Sequence, residues 1–474
     1  MSHYLLPPLG LNTCRFTSPQ DSQRLVEAAW HNGIRLFASA PSDDDGFGQT
    51  ILGDWSTQTG QQPLVLVALG LVEGILYHRA LEREHERRPY PEFLRLREGL
   101  GYCIHPEFLR EQLAECYQRL RQGAVAGVIL QTPEAFLQWA RMQGLPEEEA
   151  IHELLRRLEQ AFAFLEEEAR RERIGAYGIQ SEVLLPSPET PIPLPLPELI
   201  AVASSAGGEH HRFRLLAIPF NLFEAAAATE TVIEGRTLLE YAKDQALHVI
   251  AYRPLSARLG QRPVLIAEPP VEKTTLVSVE HIRGLLREFL HTETQLLRLL
   301  TEQPLNGVQR EMLRESLTLS LFLQDHWHEF ASYEDWSRVR QGYIAERLRS
   351  LSDIVTPLLQ TEHARQEWEH YVQRLHQALA DIGRLYAARA WERARRLRTV
   401  LEDALQVPIP PVPLAQLAIA LVQRTEGIRT VLVSSTSPDH IAENASAERL
   451  QLPVLKRQHW LRLRAAEAVL EHGF

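Results

Sequence analysis

The sequence predicts an α/β protein, a (β/α)8 barrel interrupted late by an all-α helical insertion. Three observations predict it. The chain has 474 residues, more than the roughly 250 to 300 at which a single core usually stops growing. Residues 1–260 alternate short apolar runs with longer amphipathic ones, the rhythm of strand-helix units around a parallel sheet. That rhythm stops near residue 260, gives way to helical periodicity alone, and resumes after residue 406.

Strands are expected at GIRLFASA (33–40), PLVLVALG (63–70), AGVILQT (126–132), RIGAYGIQ (173–180), RLLAIPF (214–220) and HVIAYRP (248–254). These runs are apolar on both faces, as strands buried between a barrel interior and a ring of helices must be. Helices are expected between them, the first with Ser18 as N-cap and Gly33 beyond its last turn. The others are HPEFLREQLAECYQRLRQG, the long EEEAIHELLRRLEQAFAFLEEEARRE and EGRTLLEYAKDQA. Residues 261–406 are rich in Leu, Arg, Glu and Gln at helical spacing and predict three to five helices packed together. VPIPPVP then reads as a stiff linker, LAQLAIALVQRTEG as a helix and IRTVLVSST as a further strand. The expected organisation is a barrel part (1–260), a helical insertion (261–406), and a closing unit with a C-terminal helix (407–474), because the last unit needs the earlier ones to bury its faces.

Composition narrows the function classes. A net charge of −11 argues against a general nucleic-acid binder. No apolar run approaches a membrane span, and MSHYLLPPLG lacks the basic and apolar regions of a secretion signal, so a cytoplasmic protein is expected. Cys14, Cys103 and Cys116 have no metal or disulfide spacing and are expected to be reduced. Lysine occurs only at positions 243, 273 and 456.

Several ordered motifs resemble the aldo-keto reductase family over residues 4–260 and 406–446. FASAPSDDDGFGQTILG is similar, without a gap, to that family's FDTAxxYGxGxSExxLG loop. LVLVALG resembles its strand ending in lysine, CYQRLRQGAVAGVILQT its SLxRLxxDYxDLxLxH segment, and RRERIGAYGIQS its GxxRxxGVSN. YRPL resembles its YSPL, and the segment from Leu417 to Asn444 its LAxxWxxxxxxVxxxIPGxxxxxxxxEN. The resemblance implies a barrel that reduces carbonyls with NADPH: a tyrosine donates the proton, a lysine held by an aspartate lowers its pKa, and a histidine orients the substrate. Those positions correspond here to Ala38 (aspartate), Asp43 (tyrosine), Leu69 (lysine) and Gln131 (histidine). All four are replaced, and no lysine precedes Lys243 to substitute.

The implied cofactor contacts are thinned as well. Gln180 and Ser181 stand for the family's Ser-Asn pair, Ala217 for its glutamine and Phe220 for its stacking tyrosine. Ser434 and His440 stand where basic residues would hold a 2′-phosphate, while Glu443 and Asn444 keep the adenine-contacting pair. Ser434 and Ser435, with the serine and threonine that follow, precede a helix and could cradle a phosphate, so NADPH binding is possible without its main charge contacts.

Other constellations have ordinary readings beside functional ones. Asp43, Asp44 and Asp45 could bind a hard cation or act as acid and base, or form a solvated acidic turn. Glu288 with His291, Asp325 with His328, and Glu367 with His370 have the spacing of bundle metal ligands, but bridging glutamates are not identifiable and no metal site is expected. ARAWERARRLRTV reads as a salt-bridged helix face before a phosphate-binding one. The expectation is a reductase-like barrel that has lost reductase catalysis and acts in binding, scaffolding or regulation, with a protein partner or self-association through its helical insertion. Its rivals are an NADPH-dependent oxidoreductase taking a proton donor from Tyr333, Tyr343, Tyr371 or Tyr386, and a different chemistry at Asp43.

Overall fold

A computed structural model describes residues 6–185, 194–259, 262–269, 277–303, 305–406 and 409–471. Lys273, the first residues of the VPIPPVP linker and the 260/261 boundary lie outside the described residues. The chain divides into two compact units. One is Met1–Arg258 with Ala404–Ala468; the other is Leu259–Asp403 with the chain end from Val469.

The first unit is a closed parallel barrel of eight strands. In chain order they are β1 (Leu9–Asn12), β2 (Leu36–Ser39), β3 (Leu64–Leu69), β4 (Val125–Gln131), β5 (Ile174–Gln180), β6 (Phe213–Pro219), β7 (His248–Tyr252) and β8 (Ile428–Val433). Each pairs with its sequence neighbours, and β1 closes the ring between β2 and β8, with Gly10 beside both Leu36 and Leu432. β1 was not among the expected strands. It is four residues long and contains Gly10, where a Cβ would stand 2.7 Å from a terminal methyl of Leu432. The structure also adds a small antiparallel sheet (Leu71–Val72, Leu94–Arg97 and Leu100–Tyr102) after β3.

Leu36, Ala38, Leu66, Ile129, Ala176, Leu215, Ala217, Ile250 and Leu432 pack together inside the barrel. The alternate residues of the same strands face the surrounding helices, which is why sequence shows apolar runs and no alternation. The helix Pro19–His31 begins where sequence places it: the Ser18 side chain accepts from the Asp21 N–H, and Gly33 follows with φ +88°.

The second unit is helical: Val279–Thr301, Gly307–Ser316, Leu319–His326, Tyr333–Val339, Ala345–Val355 and most of Glu362–Leu405. Caps set the starts, with Ser278 accepting from His281 N–H, an Asn306/Gln309 capping box, and Ser332 accepting from Asp335 N–H. Ile282, Phe289, Trp336, Tyr371, Leu375 and Ile382 belong to its own core. Glu293, 3% exposed, lies in that core and accepts from the hydroxyls of Ser320 and Tyr371. Burial pushes its carboxyl up from the usual range. Among the described residues no helix is long and apolar enough to cross a membrane.

Candidate functional site

The C-terminal ends of the eight strands form the barrel mouth, where barrel chemistry is found. Strand register decides which residues face it. Ala38 pairs with Leu66 on the interior face and is buried. Gln131 pairs with Gln180, and Gln180 with Ala217, so these three also point inward at the end of β4, β5 and β6. Leu69 is different. It pairs with Leu130, while Ala68 pairs with the interior residue Ile129, so Leu69 faces the helices and Ala68 the mouth. The assignment of the lysine position to Leu69 is therefore corrected to Ala68, which carries no amine either.

Asp43 lies in the loop after β2, its N–H donating to Ala40 O. Burial first, and the neighbouring Glu73 second, push its carboxyl up to about 6. Asp45, two residues on, caps the helix Gly74–His85, its Oδ1 accepting from Ile75 N–H at 2.7 Å. The glycines of the same loop are also accounted for by packing. Gly46 has φ +80°, a Cβ on Gly48 would stand 2.3 Å from Thr13 Oγ1, and one on Gly53 would stand 2.0 Å from the backbone oxygen of Arg119.

The expected cofactor contacts are divided between buried and exposed positions. Phe220 is fully buried with its ring edge-on to Trp460 at 5.0 Å between centroids, so it does not offer a face to a nicotinamide. The Ser435 hydroxyl is closed into its own loop, donating to Ser437 O and accepting from Ser437 N–H. Asn444 is 4% exposed and Ser181 1% exposed, while Glu443 and His440 are exposed on the helix Pro438–Ser446. Ser434 brings no charge. The residues present do not fit the family's manner of holding NADPH.

What the structure does bring together is a polar cluster on the β4 to β7 side of the mouth. Glu134 follows β4 and accepts from Glu182 N–H at 2.9 Å. Glu182 follows β5, Glu224 lies beyond β6, and Arg253 follows β7, donating to Glu182 at 3.0 Å and Glu224 at 2.8 Å. Tyr102 lies over Gly70 at the end of β3, where a Cβ would stand 3.1 Å from its ring and 3.4 Å from Gln131 O. The Tyr102 hydroxyl is pushed up by burial and by Glu134, and that of Tyr252 by burial and by Glu182. Burial also raises the Glu134 carboxyl. Thr132 and Arg253, each directly after a strand, have φ of +45° and +57°, conformations that cost roughly 1 to 3 kcal/mol each and gather at functional sites. Sequence reasoning passed over Glu134, Glu182 and Glu224. Their signal is a carboxylate within a few residues of a strand end, as in QTPE and QSE, which in a barrel means the mouth.

Among the described residues no group of three or more His, Cys, Asp or Glu is placed to hold a metal. In the helical unit the hydroxyls of Tyr371 and Tyr386 are already engaged, donating to Glu293 and Trp327 O.

The fold defines a closed (β/α)8 barrel protein carrying a helical unit. No protein-family profile and no curated protein matches the sequence. Among solved structures, the chain is similar to an aldo-keto reductase from Bacillus halodurans in its holo form, at 13% identity and a TM-score of 0.46, covering 96% of this chain and 91% of that one. It is also similar to the glycerol dehydrogenase of Gluconobacter oxydans, at 14% identity and a TM-score of 0.45, covering 98% and 92%. The fold assignment itself rests on the closed order of the eight strands.

Proposed function

We propose that this chain is a cytoplasmic ligand-binding barrel without hydride-transfer chemistry, working as a scaffolding or regulatory protein whose helical unit docks a protein partner or a second copy. One observation carries the reading: the mouth positions that would need an aspartate, a tyrosine, a lysine and a histidine present Ala38, Asp43, Ala68 and Gln131. Without a lysine beside it, a buried tyrosine hydroxyl such as that of Tyr252 stays protonated and is a poor source of a proton near neutral pH. The burial of Phe220 and Asn444 supports the same reading from the cofactor side.

The test is a titration of the purified protein with NADPH, read by nucleotide fluorescence and thermal shift, followed by addition of aldehydes. A micromolar dissociation constant would stabilise the fold by about 2.7 kcal/mol at a hundredfold excess, which is easily seen. The expected outcome is no saturable response at millimolar NADPH and no NADPH consumption. Tight binding with turnover would establish the rival reductase reading. A second reading, acid-base chemistry at Asp43, is favoured by one observation: a carboxyl raised to about 6 keeps a fraction of its protons near neutrality.

A further inference from the structure

Five polar atoms of the mouth cluster are shielded from solvent and have no hydrogen-bond partner among the described residues: Tyr102 Oη, Gln131 Oε1, Glu134 Oε2, Tyr252 Oη and Arg253 Nε. Two of these side chains are almost wholly buried, Tyr102 at 2% and Glu134 at 3% exposure. Folded proteins rarely leave such groups unpaired, and each is costly unless a ligand or water meets it. They belong to one side of the mouth: Tyr102 packs over Gly70 beside Gln131 O, Gln131 pairs with Gln180, and Glu134 and Arg253 are joined through Glu182.

The charge balance there says what the ligand must bring. Three carboxylates, Glu134, Glu182 and Glu224, gather here, Glu134 accepting the Glu182 N–H and Arg253 bridging Glu182 and Glu224. The half-buried cation among them, Arg253, is already divided between Glu182 and Glu224. The second arginine, Arg258, is 64% exposed and reaches Glu182 at 3.4 Å, and a third, Arg157, whose charge acts on Tyr102, is taken up by Glu153 and Glu92. Glu134 receives the Glu182 N–H on Oε1 and has the Ser181 hydroxyl beside it, and no arginine or lysine among the described residues pairs with it. A carboxylate in this position is stabilised by a cation that also donates hydrogen bonds. A carboxylate or phosphate ligand would be repelled, and a neutral polyol would satisfy the hydrogen bonds without correcting the charge.

The geometry points to a small primary amine as the ligand of the barrel mouth, its ammonium donating to Glu134 Oε2, Gln131 Oε1 and Tyr252 Oη. This rests on the reading of the mouth as a binding site that does not reduce its ligand. The tyrosine hydroxyls can accept as well as donate, so an ammonium and a nearby hydroxyl, as in an amino alcohol, would complete the set.

The experiment is calorimetry and thermal shift of the full chain near pH 7.5 with 2-aminoethanol, 1-aminobutane and 1,4-diaminobutane, against glycerol and butyrate. Amines are expected to bind and raise the melting temperature, and glycerol and butyrate are not. Glu134→Gln keeps the acceptor for Glu182 N–H but removes the charge, and is expected to weaken amine binding by about tenfold or more. Gln131→Ala, which removes an acceptor on the β4 strand, is a second variant should Glu134→Gln fail to fold, and is expected to weaken it less. Glu148→Gln, on an exposed helix start, should leave it unchanged. Amine binding equal in all variants, or absent at tens of millimolar, overturns the proposal. Glycerol binding as well as the amines overturns the ligand class but leaves the binding reading standing, whereas aldehyde-dependent NADPH consumption sinks that reading itself.

Discussion

Folding buries the carboxyl of Asp43 and sets it near Glu73, so it holds its proton to about pH 6 where the unfolded chain releases it near 3.8. The sign follows from linkage. A raised folded-state pKa favours the fold fully below 3.8, and that advantage is lost as pH rises through 6. At neutral pH the ionised Asp43 is therefore a cost. A rise from 3.8 to about 6 corresponds to at most about 3 kcal/mol, and partial exposure reduces this to about 1 to 2 kcal/mol. Asp43→Asn is expected to stabilise the protein by that amount at pH 8, with the gain shrinking towards zero near pH 4. Urea unfolding of both proteins across this range checks it, and a gain that does not change with pH would show that charge is not the cause. The same residue scale explains Leu69. A motif aligned to a strand gives the position along it but not the face, and a step of one residue moves a side chain from the barrel interior to the helices. Only the pairing of Ala68 with Ile129 settles the face.

At the scale of the element, the glycines of the loop FASAPSDDDGFGQTILG are needed for packing. The helix Phe47–Thr59 crosses the end of the helix Pro106–Leu120 so closely that Gly53 admits no Cβ beside Arg119 O. Gly53→Ala is expected to cost about 2 kcal/mol or more, since the obstacle is backbone and cannot rotate away. Chemical denaturation measures this directly, and a loss below about 0.5 kcal/mol would mean that the two helices part at little cost. Seven of the eight strands were legible because burial on both faces writes each as a continuous apolar run. β1 was not, since LGLN is too short and carries a glycine. The small sheet before Tyr102 was missed because LRLR is half exposed and LGY is three residues long. Of the candidate site, the positions of Ala38, Asp43 and Gln131 at strand ends and in the loop after β2 were legible. The cluster of Glu134, Glu182 and Arg253 was not, because it depends on three separate strand ends meeting at one mouth.

For the molecule as a whole, the division into two units makes a strong claim about folding. The barrel does not need the helical unit to set its closing register: β7 and β8 pair directly, Ile250 with Thr430 and Tyr252 with Leu432, and His248 Nε2 lies 2.7 Å from Thr430 Oγ1. The helical unit in turn has its own buried aromatics, Phe289, Trp336 and Tyr371, and its own buried polar network around Glu293. A unit with a separate core and few needs beyond it folds alone. Replacing Leu259–Asp403 by a short Gly/Ser linker is expected to leave a barrel that unfolds cooperatively, and the isolated segment Val277–Asp403 to be helical with a cooperative transition of its own. Circular dichroism and urea unfolding of both fragments test this. If either fragment gives only a broad, non-cooperative loss of signal, the two units depend on each other, and the helical unit is part of the barrel's stability before it is a docking surface. If both fold, the isolated helical unit becomes the bait for the partner proposed above, and binding to it with no binding to the barrel fragment would assign docking to the helices and ligand capture to the mouth.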